Sequence, residues 1–124
     1  MLFRSTTIGN SAFEGCKSLK SIAIPNSVTT IGRYAFSACT SLQKVTIGNG
    51  VTTIGNYAFS GCSLTEITIP ASVTTMGIRV FSRCANLVSI RVDEANPNFS
   101  SDSNGVLFNK DKTTLLEVDR KSVV

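Results

Sequence analysis

The residues with the widest chemical reach in this chain are four cysteines, Cys16, Cys39, Cys62 and Cys84, spaced 23, 23 and 22 residues apart. Thiolates could hold a metal or close two disulfides. Zinc sites built on cysteine draw their ligands from close C-x-x-C pairs, and the sequence has none. A disulfide needs side chains that point at one another. Cysteines that recur once per structural unit point the same way, which suits a bridge poorly. The favoured reading is a buried column of reduced thiols acting as small hydrophobes.

The chain has no histidine, which removes imidazole as triad base, as acid–base partner and as zinc ligand. Serine and threonine are frequent, but no G-x-S-x-G occurs. The carboxylates Glu14, Glu66, Asp93, Glu94, Asp102, Asp111 and Glu117 fall in different parts of the repeat frame described below. Asp93 and Glu94 are adjacent, and a strand sends adjacent side chains to opposite faces. No glycosidase pair can be assembled from this set. The run DSNG at Asp102–Gly105 lacks the length and closing Glu of a calcium loop, and reads as an Asx turn. Asn98-Phe99-Ser100 is a glycosylation sequon that matters only in a eukaryotic secretory host. The chain is therefore read as non-enzymatic, with no metal and no cofactor.

The elements that position these residues are written four times. IGNSAFEGCKSLKSIAIPNSVTT starts at Ile8, IGRYAFSACTSLQKVTIGNGVTT at Ile31, IGNYAFSGCSLTEITIPASVTT at Ile54 and MGIRVFSRCANLVSIRV at Met76. The third copy lacks one residue between Cys62 and Leu64. A period near 23 lies in the leucine-rich-repeat range. Leu19, Ile22 and Ile24 form L-x-x-I-x-I, as do Leu42, Val45 and Ile47; Leu64, Ile67 and Ile69; and Leu87, Ile90 and Val92. Their last two members alternate with polar or small residues, as in a strand. Pro25, Gly48, Pro70 and Asp93 end those strands. The VTTIG or VTTMG segments add a second inward pair: Val28 and Ile31, Val51 and Ile54, Val73 and Met76. The stretches holding Phe13, Phe36, Phe59 and Phe81 are too short for a long helix and predict 3₁₀ or irregular structure.

No single copy can bury its own apolar residues, so the copies must stack, like on like, at about 4.8 Å per rung. The fold expected is a right-handed leucine-rich-repeat solenoid. It has a parallel β-sheet on its concave side, short 3₁₀ or irregular segments opposite, and a C-terminal β-hairpin. The 124 residues and 42% hydrophobic content suit one such core. No apolar run approaches the roughly 18 residues of a membrane span, so membrane insertion is not expected.

The outward strand positions are Ser21 and Ala23, Lys44 and Thr46, Glu66 and Thr68, Ser89 and Arg91. They form the candidate protein-binding face, since solenoids bind partners along such surfaces. Lys44 and Glu66 are expected to be cross-strand neighbours. Of the eight, Arg91 alone belongs to the residue types that dominate interface hot spots. Tyr34 and Tyr57 stand on adjacent rungs just before the Ala-Phe pair. They read as a cover for the Phe column, with an aromatic patch on that side as the alternative.

The phrase SLKSIAIPNSVTTIGRYAFSAC and the recurring IG-x-x-AF-x-x-C resemble the BspA-like leucine-rich repeats across residues 6–92. Departures are the short third copy, Met76, and Val80 in place of Ala. NPNFSSDSNGVLFNKDKTTLLEV is similar to an element that interrupts such arrays. Its local reading is a hairpin of GVLF and TTLLEV around a turn at Asn109 to Lys112. The resemblance implies a large bacterial or protist surface protein concerned with adhesion. It places the chain at the cell surface or outside the cell, and its repeats bind other proteins, among them extracellular-matrix or host-surface proteins. A purely structural spacer and the non-catalytic arm of a larger enzyme are the alternatives.

The ends carry a different signal. The tail DRKSVV can be encoded by GATCGGAAGAGCGTCGTG and the head MLFRS by GTGCTCTTCCGATCT, so both ends can be read from one short DNA word, AGATCGGAAGAG, in opposite orientations. That word belongs to a common short-read sequencing adapter. Residues 1–5 and 119–124 are therefore expected to be non-native, flanking repeats at 6–95 and an irregular segment with a hairpin at 96–118. Different codons at both ends would dismiss the idea. Without those ends the formal charge of +4 falls to +2, since nine of twelve basic and seven of eight acidic residues remain. A balance of that size predicts no nucleic-acid partner. The open solenoid ends predict self-association; a monodisperse monomer at tens of micromolar, by sedimentation, would contradict it.

Overall fold

The structure, a computed structural model, describes residues 6–101, 107–109 and 115–117. Each copy contributes one rung with two strands. The Thr-Ile or Thr-Met pairs form β1 (Thr7–Ile8), β3 (Thr30–Ile31), β5 (Thr53–Ile54) and β7 (Thr75–Met76). These align in one parallel four-stranded sheet in the order β1-β3-β5-β7. Its register sets Ile8 beside Ile31, Ile31 beside Ile54 and Ile54 beside Met76. The L-x-x-I-x-I segments form β2 (Ser21–Ile24), β4 (Lys44–Ile47), β6 (Glu66–Ile69) and β8 (Ser89–Val92).

These longer strands do not make one continuous sheet. β2 pairs with β4 and β6 with β8, both parallel and in the repeat frame. β4 and β6 run side by side, yet among the described residues no backbone hydrogen bond joins them. The missing residue of the third copy explains the seam. In the other three rungs the amide of Leu19, Leu42 or Leu87 closes a turn onto the cysteine carbonyl three residues back. In the third, Leu64 follows Cys62 too closely for that turn, and the Ser63 amide instead donates to the Leu42 carbonyl at 3.0 Å. The chain therefore enters β6 without the ladder that would join it to β4.

The segments between the two strand sets contain no helix among the described residues. They are successive reverse turns whose amides alternate between two targets. Ala12, Glu14 and Cys16 donate to carbonyls three residues back, whereas Ser11, Phe13 and Gly15 donate to Arg33, Ala35 and Ser37 on the next rung. From Ser11 to Cys16 each amide thus finds a partner, as in regular structure. The path needs two left-handed residues per rung, four positions apart. They are Ser11 and Gly15, Tyr34 and Ala38, Tyr57 and Gly61, Arg79 and Arg83, all with φ between 51° and 75°. Gly55, in the recurrent IG, serves close approach instead. A Cβ there would stand 2.7 Å from the Arg33 amide nitrogen.

The core is a set of columns. Phe13, Phe36, Phe59 and Phe81 stack with centroid separations of 5.2, 5.3 and 5.9 Å and interplanar angles of 2°, 1° and 10°. Val28, Val51 and Val73 are fully buried, as are Ile31 and Ile54. On the first rung Phe13, Cys16, Leu19 and Ile22 are only half-buried. Among the described residues no preceding rung covers them.

The repeat frame also runs further than residue 92. Asn96 occupies the position of Val28, Val51 and Val73, and Phe99 that of Ile8, Ile31, Ile54 and Met76. Both are buried, and Phe99 joins the common core. Past Phe99 the chain leaves the coil. β9 (Phe99–Ser101), β10 (Leu107–Asn109) and β11 (Leu115–Glu117) form an antiparallel sheet in the order β11-β10-β9, lying against β8. The hairpin pairing is present as β10 with β11, and β9 is a third strand absent from the sequence reading. Most of its reverse turn and the DSNG run lie outside the described residues.

Candidate binding faces

The alternation in the longer strands turns Ser21, Ala23, Lys44, Thr46, Glu66, Thr68 and Arg91 outward into solvent, with Ser89 half-buried beside them. Their inward partners Val45, Ile47, Ile67, Ile69 and Ile90 are buried. The structure thus brings all eight candidate positions onto strands with the outward phase expected. The seam divides them into two sets. Between β4 and β6 it opens a groove of about 320 Å³, bordered by Lys44, Thr46, Glu66 and Thr68. Asn49 and Asp93 also line it. Neither stands at an outward strand position, since each follows the last one of its strand. The single-residue deletion was the available signal that this part of the face would open.

One expected pairing is corrected. The ladders set Glu66 opposite Ser89 and Lys44 opposite Ser21, and none joins β4 to β6 to pair Lys44 with Glu66. The partner of Glu66 is Arg91, whose Nε lies 3.9 Å from Glu66 Oε2 along the diagonal of the β6–β8 pair. Both side chains are about two-thirds exposed, so this contact contributes little to stability. It leaves Lys44 facing the groove with no ion-pair partner among the described residues.

All four cysteines are free thiols. Cys39, Cys62 and Cys84 each donate an S–H to the carbonyl of the phenylalanine one rung back, at 3.1 Å to Phe13, Phe36 and Phe59. The column therefore stitches backbone between rungs as well as filling space. Burial pushes the Cys39 and Cys62 thiols up, and for Cys62 the neighbouring Cys84 and Cys39 add to the rise. Such thiols are poor nucleophiles and poor metal ligands. No cluster of three metal-ligating side chains occurs among the described residues. An alkylating reagent should add four labels in denaturant. In the native state it should reach the half-exposed Cys16 well before the other three. Intact mass against time reads both, and equal native rates for all four would contradict the column. The same shifts mean that Cys39 and Cys62 ionise first in the unfolded chain as pH rises past their ordinary value of 9.0. The unfolded state then holds fewer protons than the folded one, and stability falls.

On the opposite side, Tyr34 and Tyr57 stack on each other at 5.1 Å with an interplanar angle of 1°. Tyr34 is 40% exposed, while Phe36 and Phe59 are fully buried. The tyrosines therefore form the aromatic patch. Tyr57 is half-buried, and both residues have left-handed backbone.

Parallel strands, stacked columns and an exposed strand face define a leucine-rich-repeat solenoid of about four turns. Residues 6–115 match the model of the BspA type leucine rich repeat region in six copies, and the chain belongs to that family. The solved pneumococcal vaccine antigen PcpA is similar at 35% identity with a TM-score of 0.86, over 91% of this chain and 28% of that one. A leucine rich cell surface protein from Faecalibacterium prausnitzii A2-165 is 36% identical with a TM-score of 0.83, over 92% of this chain and 30% of that one. A leucine-rich repeat protein from Eubacterium ventriosum is 31% identical with a TM-score of 0.71, over 92% and 36%. The chain thus spans about a third of these relatives' length. No curated protein matches it.

Proposed function

We propose that these repeats are a non-enzymatic binding scaffold of a cell-surface or secreted protein, and that the face of β2, β4, β6 and β8 takes up other proteins in adhesion. The observation that carries this reading is the groove at the seam. Lys44, Glu66 and Asp93 border a cleft of about 320 Å³, with Thr46, Thr68 and Asn49 between them. A flat, fully laddered face would offer no such concavity, and binding sites favour concave surfaces with a few convergent polar groups. A relative described as a leucine rich cell surface protein supports the location.

The test is binding of the 124-residue chain to a panel of purified extracellular-matrix proteins. At least one should bind. Lys44→Glu combined with Arg91→Glu should weaken that complex by about tenfold, or ~1.4 kcal/mol. Unchanged affinity in the double variant refutes this face, and absence of binding across the panel returns the repeats to a spacer role.

A further inference from the structure

Two of the columns exposed on the turn side hold side chains that the coil itself does not need. One runs Ser11, Tyr34, Tyr57, Arg79, and the other runs Gly15, Ala38, Gly61, Arg83. All eight positions have left-handed backbone. A non-glycine residue there costs roughly 1–2 kcal/mol, and glycine serves the path at Gly15 and Gly61. Tyrosine and arginine at such positions add outward chemistry at a cost in stability.

These side chains converge. Tyr34, Tyr57, Arg79 and Arg83 line a groove of about 340 Å³ together with Ser37, Ser60 and Ser82. Ser60 Oγ lies 2.8 Å from Ser82 Oγ, and Ser60 is buried, so part of this hydroxyl row is fixed. Arg79 and Arg83 are exposed and take no part in the ion pair present among the described residues. The serine column does hold a carboxylate, Glu14, but on the first rung. That is three rungs from the arginines, or about 14 Å at strand spacing. The groove is thus cationic at one end and aromatic at the other, with a floor of hydroxyls.

From this geometry we infer that the turn-side groove binds an acidic saccharide. The carboxylate of a uronate sits between Arg79 and Arg83, the ring hydroxyls meet the serine row, and the apolar edge of the sugar lies along Tyr34 and Tyr57. Five hydroxyl side chains against two guanidiniums match a ligand dense in hydroxyls that carries isolated carboxylates. Arginine suits the carboxylate because its planar fork donates two parallel hydrogen bonds to it. The two tyrosine rings already touch face to face, leaving no slot between them for a nucleobase or an apolar side chain. The groove volume lies at the lower end of the range for small-ligand sites.

Calorimetry or NMR titration of the 124-residue chain tests this with three probes. They are a tetrasaccharide alternating glucuronate with N-acetylglucosamine, a neutral N-acetylglucosamine tetramer, and a capped peptide bearing two glutamates. The acidic tetrasaccharide should bind, and the neutral one should bind at least about tenfold more weakly. Arg79→Gly with Arg83→Gly should lose about tenfold or more of that affinity. Glycine is at home in both backbone positions, so these variants keep the fold. Tyr34→Ala should also weaken binding, while Lys44→Glu on the strand face should leave it unchanged. The inference is overturned if the acidic tetrasaccharide does not bind, or if the arginine variants bind it as well as the parent chain. It is equally overturned if the peptide binds as tightly without regard to Tyr34, which would assign the groove to acidic protein segments.

Discussion

Phe59→Ala should lower the stability of the chain by about 3–5 kcal/mol, the range for emptying a buried aromatic site. Phe59 is fully buried and stacks on Phe36 at 5.3 Å and on Phe81 at 5.9 Å. Truncation removes both ring contacts, each worth about 0.5–1.5 kcal/mol beyond the buried area. It also opens a void that rungs locked by backbone hydrogen bonds cannot collapse to fill. The position matters as much as the residue. Phe59 lies on the third rung, the one whose β6 has no ladder to β4. There the junction between rungs rests on the β3–β5 pair, on bonds such as that from the Phe36 amide to the Ala58 carbonyl, and on the Phe column.

Because rungs of a solenoid contact only their neighbours, stability is close to a sum of rung and junction terms. A loss at the weakest junction should uncouple the array. Phe59→Ala is therefore expected to move the denaturation midpoint sharply and to reduce the denaturant slope, which reports how much surface unfolds together. Phe13→Ala is the control. Phe13 is half-buried and stacks on one ring alone, so its loss should be about half as large with an unchanged slope. Equal losses at the two sites would mean that the column is not a shared core.

Most of the inward architecture was legible because stacking copies each residue onto its own kind. A column reads in sequence as the same letter every 22 or 23 positions, and Phe, Cys, Val and Ile all follow that rule. What escaped depends on something other than side-chain type. The seam arises because one deleted residue changes where an amide points, although the apolar phase of β6 is untouched. The left-handed path at the tyrosines escaped because a bulky residue there contradicts its local preference, and inter-rung bonds hold it. The arginines of the turn-side groove occupy that same path, where outward positions carry no alternation. The continuation of the frame to Phe99 was hidden by composition. Asn96, Pro97 and Asn98 read as a loop, although Asn96 and Phe99 fall on the valine and isoleucine columns.

Asn96 itself carries the second large effect. It is fully buried in a column of valines. Its Nδ2 donates to the carbonyls of Pro70 at 2.9 Å and Val73 at 3.1 Å, and its Oδ1 accepts from the amides of Asn98 at 2.8 Å and Phe99 at 2.9 Å. One amide group thus binds the third rung with its donor and steers the departing chain with its acceptor. Asn96→Ala would strand these groups away from water, at about 1–3 kcal/mol for each that cannot be satisfied otherwise. The expected loss is about 3 kcal/mol, confined to one end. In hydrogen exchange the Asn98 and Phe99 amides should lose protection while those of the first two rungs keep theirs.

Asn96→Asp separates this network from simple packing, because it keeps shape and acceptor and removes the donor. At neutral pH a carboxylate oxygen would face the carbonyls of Pro70 and Val73, and the loss should be at least as large as for alanine. The Asn98 and Phe99 amides would favour the carboxylate, but full burial and the facing carbonyls outweigh them and raise the pKa of that carboxyl above its unfolded value near 3.9. The folded variant would then hold a proton that the unfolded one releases. Its deficit relative to the parent chain should shrink as pH falls towards about 4, where a protonated carboxyl can donate again to one carbonyl. The deficit of Asn96→Ala has no such titration and should stay flat. Parallel deficits for the two variants across that pH range would show that Asn96 fills space without bonding the third rung to the departing chain.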